Sequence, residues 1–182
     1  EQFRHEVRDF LEQEVTDKMR EAVEARPEEG RYSQEFSRKV ARKGWIGLAW
    51  PREYGGKGLG HIERLIYNEE MTYYQAPVAF HHAAERQMGP SIMLYGTDEL
   101  KKEFLRRIAA GEICFAIGYS EPGAGSDLAS LQTRAVEDGD DFVVNGQKTY
   151  TSGAHLAQYV WLACRTDLNV PKHKGISVLI VD

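Results

Sequence analysis

The sequence predicts an α+β protein in which a helical segment precedes a β-rich one. Up to Gly111, apolar residues recur at steps of three and four, which is the spacing of one helix face. After Gly111 they alternate with polar residues, and the dipeptides Asp138-Gly139 and Asn145-Gly146, both typical of hairpin turns, separate the β-rich runs. Because helices come first and strands afterwards, we expect two domains, residues 1–111 and 112–182.

Five helices are expected in the first domain. Ser33 is the predicted N-cap of the second helix, and Thr97 or Asp98 is that of the last one. Proline and glycine within residues 27–30 predict a break after the first helix. The helices are predicted over residues 1–24, from Ser33 through Ala41, over 62–74 and 83–94, and from Thr97 or Asp98 to Gly111.

Six strands are expected in the second domain, because short runs there are rich in β-branched and aromatic residues. The predicted strands cover residues 114–119, 131–137, 141–144, 147–150, 159–165 and 176–181.

Composition excludes several classes of function. The chain has 182 residues with 28 acidic against 23 basic side chains, a net charge of −5, which argues against a nucleic-acid interface. Its apolar runs are too short to cross a bilayer, so no membrane span is expected. Cys114 and Cys164 form no paired motif, and the six histidines lack metal-ligand spacing, so we expect no disulfide scaffold, no metal site and a cytoplasmic location.

The sequence begins within a predicted helix and ends within a predicted strand. The helical pattern is already present at Glu1, and the run at residues 176–181 stops without a turn. We therefore expect the chain to be part of a longer polypeptide.

The first candidate site is the glycine-rich stretch 117–127, which directly follows a predicted strand. Gly123 and Gly125 beside Ser126 would let backbone N–H groups approach an anion, such as a diphosphate, with a hydroxyl as a further donor. The stretch matches neither a dinucleotide-binding fingerprint, since Leu128 replaces the last glycine, nor a P-loop or a nucleophile elbow. By spacing alone, a plain turn between two strands is the alternative.

The second candidate is the stretch 146–153, in which Tyr150 is followed by Thr151 and Ser152. Such side chains at a strand end could lie against a flat heteroaromatic ring and bond its edge. The alternative is an edge strand whose Thr and Tyr residues reflect β propensity.

Five motifs in order carry a resemblance to a known family. They are residues 44–56, 96–105 and 109–112, the element Glu121-Pro-Gly-Ala-Gly-Ser-Asp127 with the preceding Ser120, and Asn145-Gly-Gln-Lys148. With these motifs the chain resembles the N-terminal and central parts of an acyl-CoA dehydrogenase. The resemblance implies an N-terminal helical bundle, an antiparallel, barrel-like central β-domain that is incomplete here, and a C-terminal four-helix domain that is missing.

The resemblance also implies FAD as cofactor and an acyl-CoA as substrate. Ser120 takes the place of the family's hydroxyl at the isoalloxazine edge, and Ser126 that of the serine near the diphosphate and the thioester. Tyr119 stands where valine is commoner and Tyr150 replaces a tryptophan; Asp127 is expected to close the turn by bonding backbone N–H groups. The full predicted cofactor set is Ile117, Tyr119, Ser120, Gly125, Ser126, Tyr150, Thr151 and Ser152, with Ser126 also touching substrate.

The implied reaction is α,β-dehydrogenation of an acyl-CoA thioester, with electrons passing to an electron-transferring flavoprotein. The family's glutamate base belongs to the C-terminal domain, so no catalytic residue is assigned here. A homo- or hetero-tetramer is implied. Three alternatives stay open: an acyl-CoA oxidase, a non-catalytic flavin-binding subunit of a heteromer, and a truncated product that binds nothing tightly.

Overall fold

The computed structural model describes residues 1–27 and 31–182, so most of the break predicted at residues 27–30 lies outside the described residues. The chain divides into two compact units, Glu1–Cys114 and Phe115–Asp182. The first is helical and the second contains a five-stranded sheet, which confirms the α+β class.

The helical unit begins with two helices where one was predicted. Thr16 accepts a hydrogen bond on its side chain from the Met19 N–H and so starts a new helix, while Val15 leaves the helical conformation. Ser33 and Thr97 cap helices as expected, by bonding the Phe36 and Leu100 N–H groups. The helices are α1 (Gln2–Glu14), α2 (Asp17–Glu24), α3 (Gln34–Arg42), α4 (His61–Tyr73), α5 (Ala79–Ala83), α6 (Gly89–Tyr95), α7 (Asp98–Leu100) and α8 (Arg106–Ala109).

Two π-helical turns join short helices into longer ones. The turn Ala84–Met88 links α5 to α6, and the turn Lys101–Leu105 links α7 to α8. Each inserts an extra residue into the helical repeat, which redirects the side chains on either side of it.

Two buried polar side chains inside the helical unit, Glu70 and His81, are bonded to side chains of other helices. Glu70 on α4 is buried and pairs with Arg4 and Arg8 of α1. His81 on α5 is also buried; its Nδ1 lies 2.8 Å from Ser37 Oγ and its Nε2 3.1 Å from Tyr67 OH. Burial lowers the pKa of His81 to about 3, so this histidine is neutral and serves as a structural link between α3, α4 and α5.

The second unit is built on five strands: β1 (Phe115–Gly118), β2 (Arg134–Asp138), β3 (Asp141–Asn145), β4 (Tyr159–Arg165) and β5 (Ile176–Val181). Strand β4 is central. One of its edges binds β5 in antiparallel fashion, and the other binds β1, in parallel, along its first half and β2 at Arg165. The hairpin predicted at Asp138-Gly139 is confirmed between β2 and β3.

The sheet is mixed rather than wholly antiparallel. Adjacent strands joined by a tight turn must run in opposite directions, whereas β4 returns beside β1 after a long connection and runs the same way. The strand predicted over residues 147–150 is wrong, and Asn145-Gly146 forms no hairpin, because the chain after β3 turns to contact the loop that follows β1.

Candidate functional site

The glycine-rich stretch forms a closed turn directly after β1. The Glu121 N–H donates to the Ala124 carbonyl at 2.8 Å, and the Ala124 N–H donates back at 3.1 Å. A methyl group placed on Gly123 or Gly125 would meet no atom within 4 Å. The backbone here is therefore unobstructed on its outer face, as the close approach of a ligand requires.

The Glu121 carboxylate holds this loop in place. It is 8% exposed, and its oxygens accept from the Gln132 N–H at 2.6 Å and the Thr133 N–H at 2.8 Å. The Lys148 ammonium donates to the same carboxylate at 2.9 Å and to the Tyr119 carbonyl at 3.0 Å. One buried ion pair thus joins the loop after β1, the segment before β2 and the segment after β3.

These contacts keep Glu121 ionised. Burial by itself would raise the pKa of the carboxyl group and is the largest single effect on it. The hydrogen bonds from Thr133, Gln132 and Lys148 together outweigh burial and lower the pKa of Glu121 to about 2. The group is therefore a structural anion and a very weak base.

The segment after β3 is held against the loop by its backbone. The Thr149 N–H donates to the Ser120 carbonyl at 2.9 Å. Gly146 packs so tightly on Thr133 that a Cβ atom there would lie 2.6 Å from the Thr133 Cα. This close contact, together with Lys148, brings the two candidate stretches predicted from the sequence side by side.

Tyr150 has an unusual backbone and a free ring. Its φ is +55°, in the left-handed region that tyrosine rarely adopts, and its side chain is 92% exposed. The Ser152 N–H donates to the Tyr150 carbonyl at 2.9 Å, which closes a tight turn directly after this residue, centred on Thr151. The ring is therefore displayed at the surface by a constrained backbone.

Four serine and threonine hydroxyl groups of the predicted set have no hydrogen-bond partner among the described residues. Ser120 and Thr151 are half-buried, while Ser126 and Ser152 are exposed. Tyr119 differs, since its hydroxyl accepts from Trp161 Nε1 at 3.1 Å and so faces β4. The four free hydroxyls are those of Ser120, Ser126, Thr151 and Ser152.

The bonding partners predicted for the Asp127 side chain are wrong. Its carboxylate pairs with Lys172 Nζ at 2.8 Å instead of bonding backbone N–H groups. The turn is closed by its carbonyl, which accepts from the Ser130 hydroxyl at 2.7 Å. A distant lysine satisfies the side chain, and the sequence spacing gives no sign of it.

Sequence reasoning assigned no role to Glu121 or Lys148, although both lie in quoted motifs. The only signal in the sequence was an acidic residue within the stretch 117–127 and a basic residue within the stretch 146–153. Within the described residues, no group of three or more His, Cys, Asp or Glu side chains is arranged to hold a metal ion. Over the same ranges, no helix is long and apolar enough to cross a membrane.

We expect Glu121 to make the stability of the protein depend on pH in acid. Its pKa is lowered from 4.5 to about 2, so its contribution is complete above pH 4.5 and is lost as the pH falls towards 2. That shift corresponds to about 3 kcal/mol of unfolding free energy. Glu121→Gln should remove this amount at pH 7 and flatten the pH dependence below pH 5.

Urea unfolding of the purified protein at several pH values measures this effect. Glu137→Gln is the matched control, because Glu137 is an exposed carboxylate on β2. An unchanged acid dependence in Glu121→Gln would show that the buried carboxylate is not its source.

Comparison with known proteins identifies the family. The profile described as "Acyl-CoA dehydrogenase, N-terminal domain" matches residues 1–112, and that described as "Acyl-CoA dehydrogenase, middle domain" matches residues 116–182. Acyl-CoA dehydrogenase FadE26 of Mycobacterium tuberculosis is 49% identical over 187 aligned residues, which cover all of this chain and 46% of the relative. The chain therefore spans about half the length of this relative.

Solved structures give the same result. The ChsE4–ChsE5 complex from Mycobacterium tuberculosis matches with a TM-score of 0.89 and 48% identity, over 99% of this chain and 45% of the other. A glutaryl-CoA dehydrogenase from Mycobacterium smegmatis in complex with FADH2 matches with a TM-score of 0.77 and 26% identity, over 100% of this chain and 45% of that one. Because both domain profiles match in order and the identity extends over the whole chain, this chain belongs to the acyl-CoA dehydrogenase family.

Proposed function

We propose that the protein catalyses FAD-dependent α,β-dehydrogenation of an acyl-CoA thioester, and that this chain supplies one wall of the flavin site. The observation that carries the proposal is the pairing of two stretches by the Lys148–Glu121 contact. Together they display an open glycine backbone, four unpaired hydroxyls and an exposed aromatic ring. A diphosphate needs N–H and hydroxyl donors, and a flat heteroaromatic ring needs a flat partner.

Each residue of the set has a proposed part in holding FAD. Ser120 and Ser152 bond the edge of the flavin ring system, and Tyr150 packs on its face. Gly125 and Ser126 lie along the diphosphate, with Ser126 also near the thioester, while Ile117, Tyr119 and Thr151 complete the wall. When bound, FAD supplies the acceptor for the two electrons that the substrate loses.

Neither carboxylate of the loop is suited to remove the α-proton. Glu121 is buried and bonded on both oxygens, and its lowered pKa makes it a poor base. Asp127 pairs with Lys172. We therefore assign the base to a part of the protein outside this chain, and to this chain the binding and orientation of cofactor and substrate.

The proposal extends to partners and location. Electrons would pass to an electron-transferring flavoprotein, and the likeness to a chain of the ChsE4–ChsE5 complex favours a heteromeric assembly. Cys114 and Cys164 are both buried thiols, and a reducing cytoplasmic compartment is the location we propose.

A second candidate is a flavin-binding subunit that lacks its own base and acts as a partner in a heteromer. The same likeness to a two-protein complex favours it. It keeps the flavin wall described here and differs only in where the proton is removed.

The direct test is formation of a 2-enoyl-CoA by the purified full-length protein. Saturated acyl-CoA thioesters of several lengths are incubated with it and an artificial electron acceptor, and products are identified by mass spectrometry. We expect an enoyl-CoA with at least one thioester and without consumption of oxygen. Product that appears only after a partner subunit is added would favour the second candidate. Oxygen consumption in the absence of the dye would indicate an oxidase.

We also expect Tyr150 to contribute to flavin affinity through its ring. Tyr150→Ala should raise the dissociation constant for FAD by about tenfold, because it removes the stacking surface. Tyr150→Phe retains the ring and is the matched control. Quenching of flavin fluorescence on titration with the protein measures both constants. Equal affinity in Tyr150→Ala and the unchanged protein would contradict this role.

A further inference from the structure

The helical unit has a small cavity beside α7 and α8 that uses none of the residues of the proposed flavin site. Its volume is about 210 Å³, below that of most drug-sized sites and enough for an ion of a few heavy atoms. It lies between the short turn Arg52–Tyr54 and the segment formed by α7, its π turn and α8. The residues that line it are Glu53, Tyr54, Asp98, Lys101, Lys102 and Arg106.

The π turn at Lys101–Leu105 presents three cations to this cavity. In a π turn the backbone hydrogen bonds run to the fifth residue instead of the fourth, which widens the turn and shifts its side chains around the helix axis. Lys101, Lys102 and Arg106 all line the cavity. Lys102 and Arg106 are four residues apart, a spacing at which like charges destabilise a helix. An anion among these groups would relieve their repulsion.

The two acids of the wall leave these cations largely unneutralised. The Asp98 carboxylate is 83% exposed and lies 3.9 Å from the Lys101 ammonium, beyond hydrogen-bond distance. Among the described residues, neither Glu53 nor Lys102 forms an ion pair. The wall therefore carries three positive charges against two negative ones, with a single loose pair between them.

Arg106 and Tyr54 supply further donors at fixed positions. Arg106 Nη2 donates to the Glu53 carbonyl at 3.2 Å, and this neutral acceptor orients the guanidinium without cancelling its charge. The turn packs closely on α8, since a Cβ atom on Gly55 would lie 2.9 Å from the Ala109 Cβ. The Tyr54 side chain is half-buried, and over the described ranges its hydroxyl has no hydrogen-bond partner. Both groups can therefore donate to a ligand in the cavity.

Donors of this number and kind match a phosphoryl group. Two ammonium groups, one guanidinium and one phenol hydroxyl surround the same small volume. A phosphoryl group offers three strong acceptor oxygens and a charge of about −1.5 to −2 at neutral pH. A carboxylate has two oxygens, which one guanidinium can bind in full, so it would leave the two lysines without a partner.

We propose that this cavity binds a phosphoryl group, carried either by inorganic phosphate or by a small phosphate monoester. Lys101, Lys102 and Arg106 are its ligands, and Tyr54 adds a hydroxyl donor. The proposal goes beyond the dehydrogenation proposed above and does not depend on it, since the two sites share no residue.

Calorimetric titration of the purified full-length protein tests the proposal. Inorganic phosphate, glycerol 3-phosphate and acetate are the separate probes, all at the same ionic strength. We expect saturable binding of at least one of the two phosphoryl compounds, about tenfold or more tighter than that of acetate. The tighter of the two identifies the source of the phosphoryl group.

Substitution of Lys102 assigns the binding to this cavity. Lys102→Gln should weaken the tighter probe by about tenfold, because one charge-assisted hydrogen bond is lost. Lys18→Gln is the matched control, since it removes the same charge from an exposed position on α2 and should leave the binding unchanged. Lys102 is itself exposed, so its replacement leaves the fold intact.

Fluorine resonances of the protein labelled with 3-fluorotyrosine supply a readout at the site itself. The Tyr54 resonance, assigned by its loss in Tyr54→Phe, should shift with the same dissociation constant, while that of the buried Tyr67 should stay in place. Absence of saturable binding by either phosphoryl compound would overturn the proposal, as would equal affinity in Lys102→Gln and the unchanged protein. Acetate that binds as tightly as phosphate would overturn the assignment to a phosphoryl group.

Discussion

The buried carboxylate of Glu121 is the interaction on which the candidate flavin wall depends. A charge removed from water must be bonded on every side, and Glu121 meets that need with two backbone N–H groups and the Lys148 ammonium. Those bonds come from segments far apart in sequence, so the carboxylate fixes where the loop after β1 lies relative to residues 132–133 and 148. The Thr149–Ser120 backbone bond then sets the distance between the two stretches that carry the hydroxyls and the Tyr150 ring.

The candidate site combines a tightly packed contact with an exposed backbone. Behind the loop the packing is so close that Gly146 cannot carry a side chain without striking Thr133. In front of it, Gly123 and Gly125 face open space. Glycine therefore permits close packing at Gly146 and leaves the backbone open at Gly123 and Gly125. The left-handed backbone of Tyr150 fits the same division, because a strained residue persists only where its surroundings fix it.

Local sequence patterns predicted the structural features that depend on neighbouring residues in the chain. Helical spacing, the caps at Ser33 and Thr97 and the hairpin at Asp138-Gly139 depend on neighbours in the chain, and the structure has them. Thr16 carried a capping signal that the longer apolar stripe obscured. Residues 147–150 have β propensity, but their bonds go to the Glu121 loop, so no strand forms. Both candidate stretches were identified from their local sequence patterns. The ion pair that joins them could not be predicted in this way, because its two residues are far apart in the sequence.

The central claim is that the Lys148–Glu121 pair positions the flavin wall. The most direct test is the FAD dissociation constant of Lys148→Met in the full-length protein, measured by quenching of flavin fluorescence. The exposed Lys174→Met serves as control, and circular dichroism serves to verify folding. We predict affinity about tenfold weaker or more in Lys148→Met alone, since the loop loses its anchor at the Tyr119 carbonyl. A folded Lys148→Met variant with unchanged FAD affinity would contradict the claim.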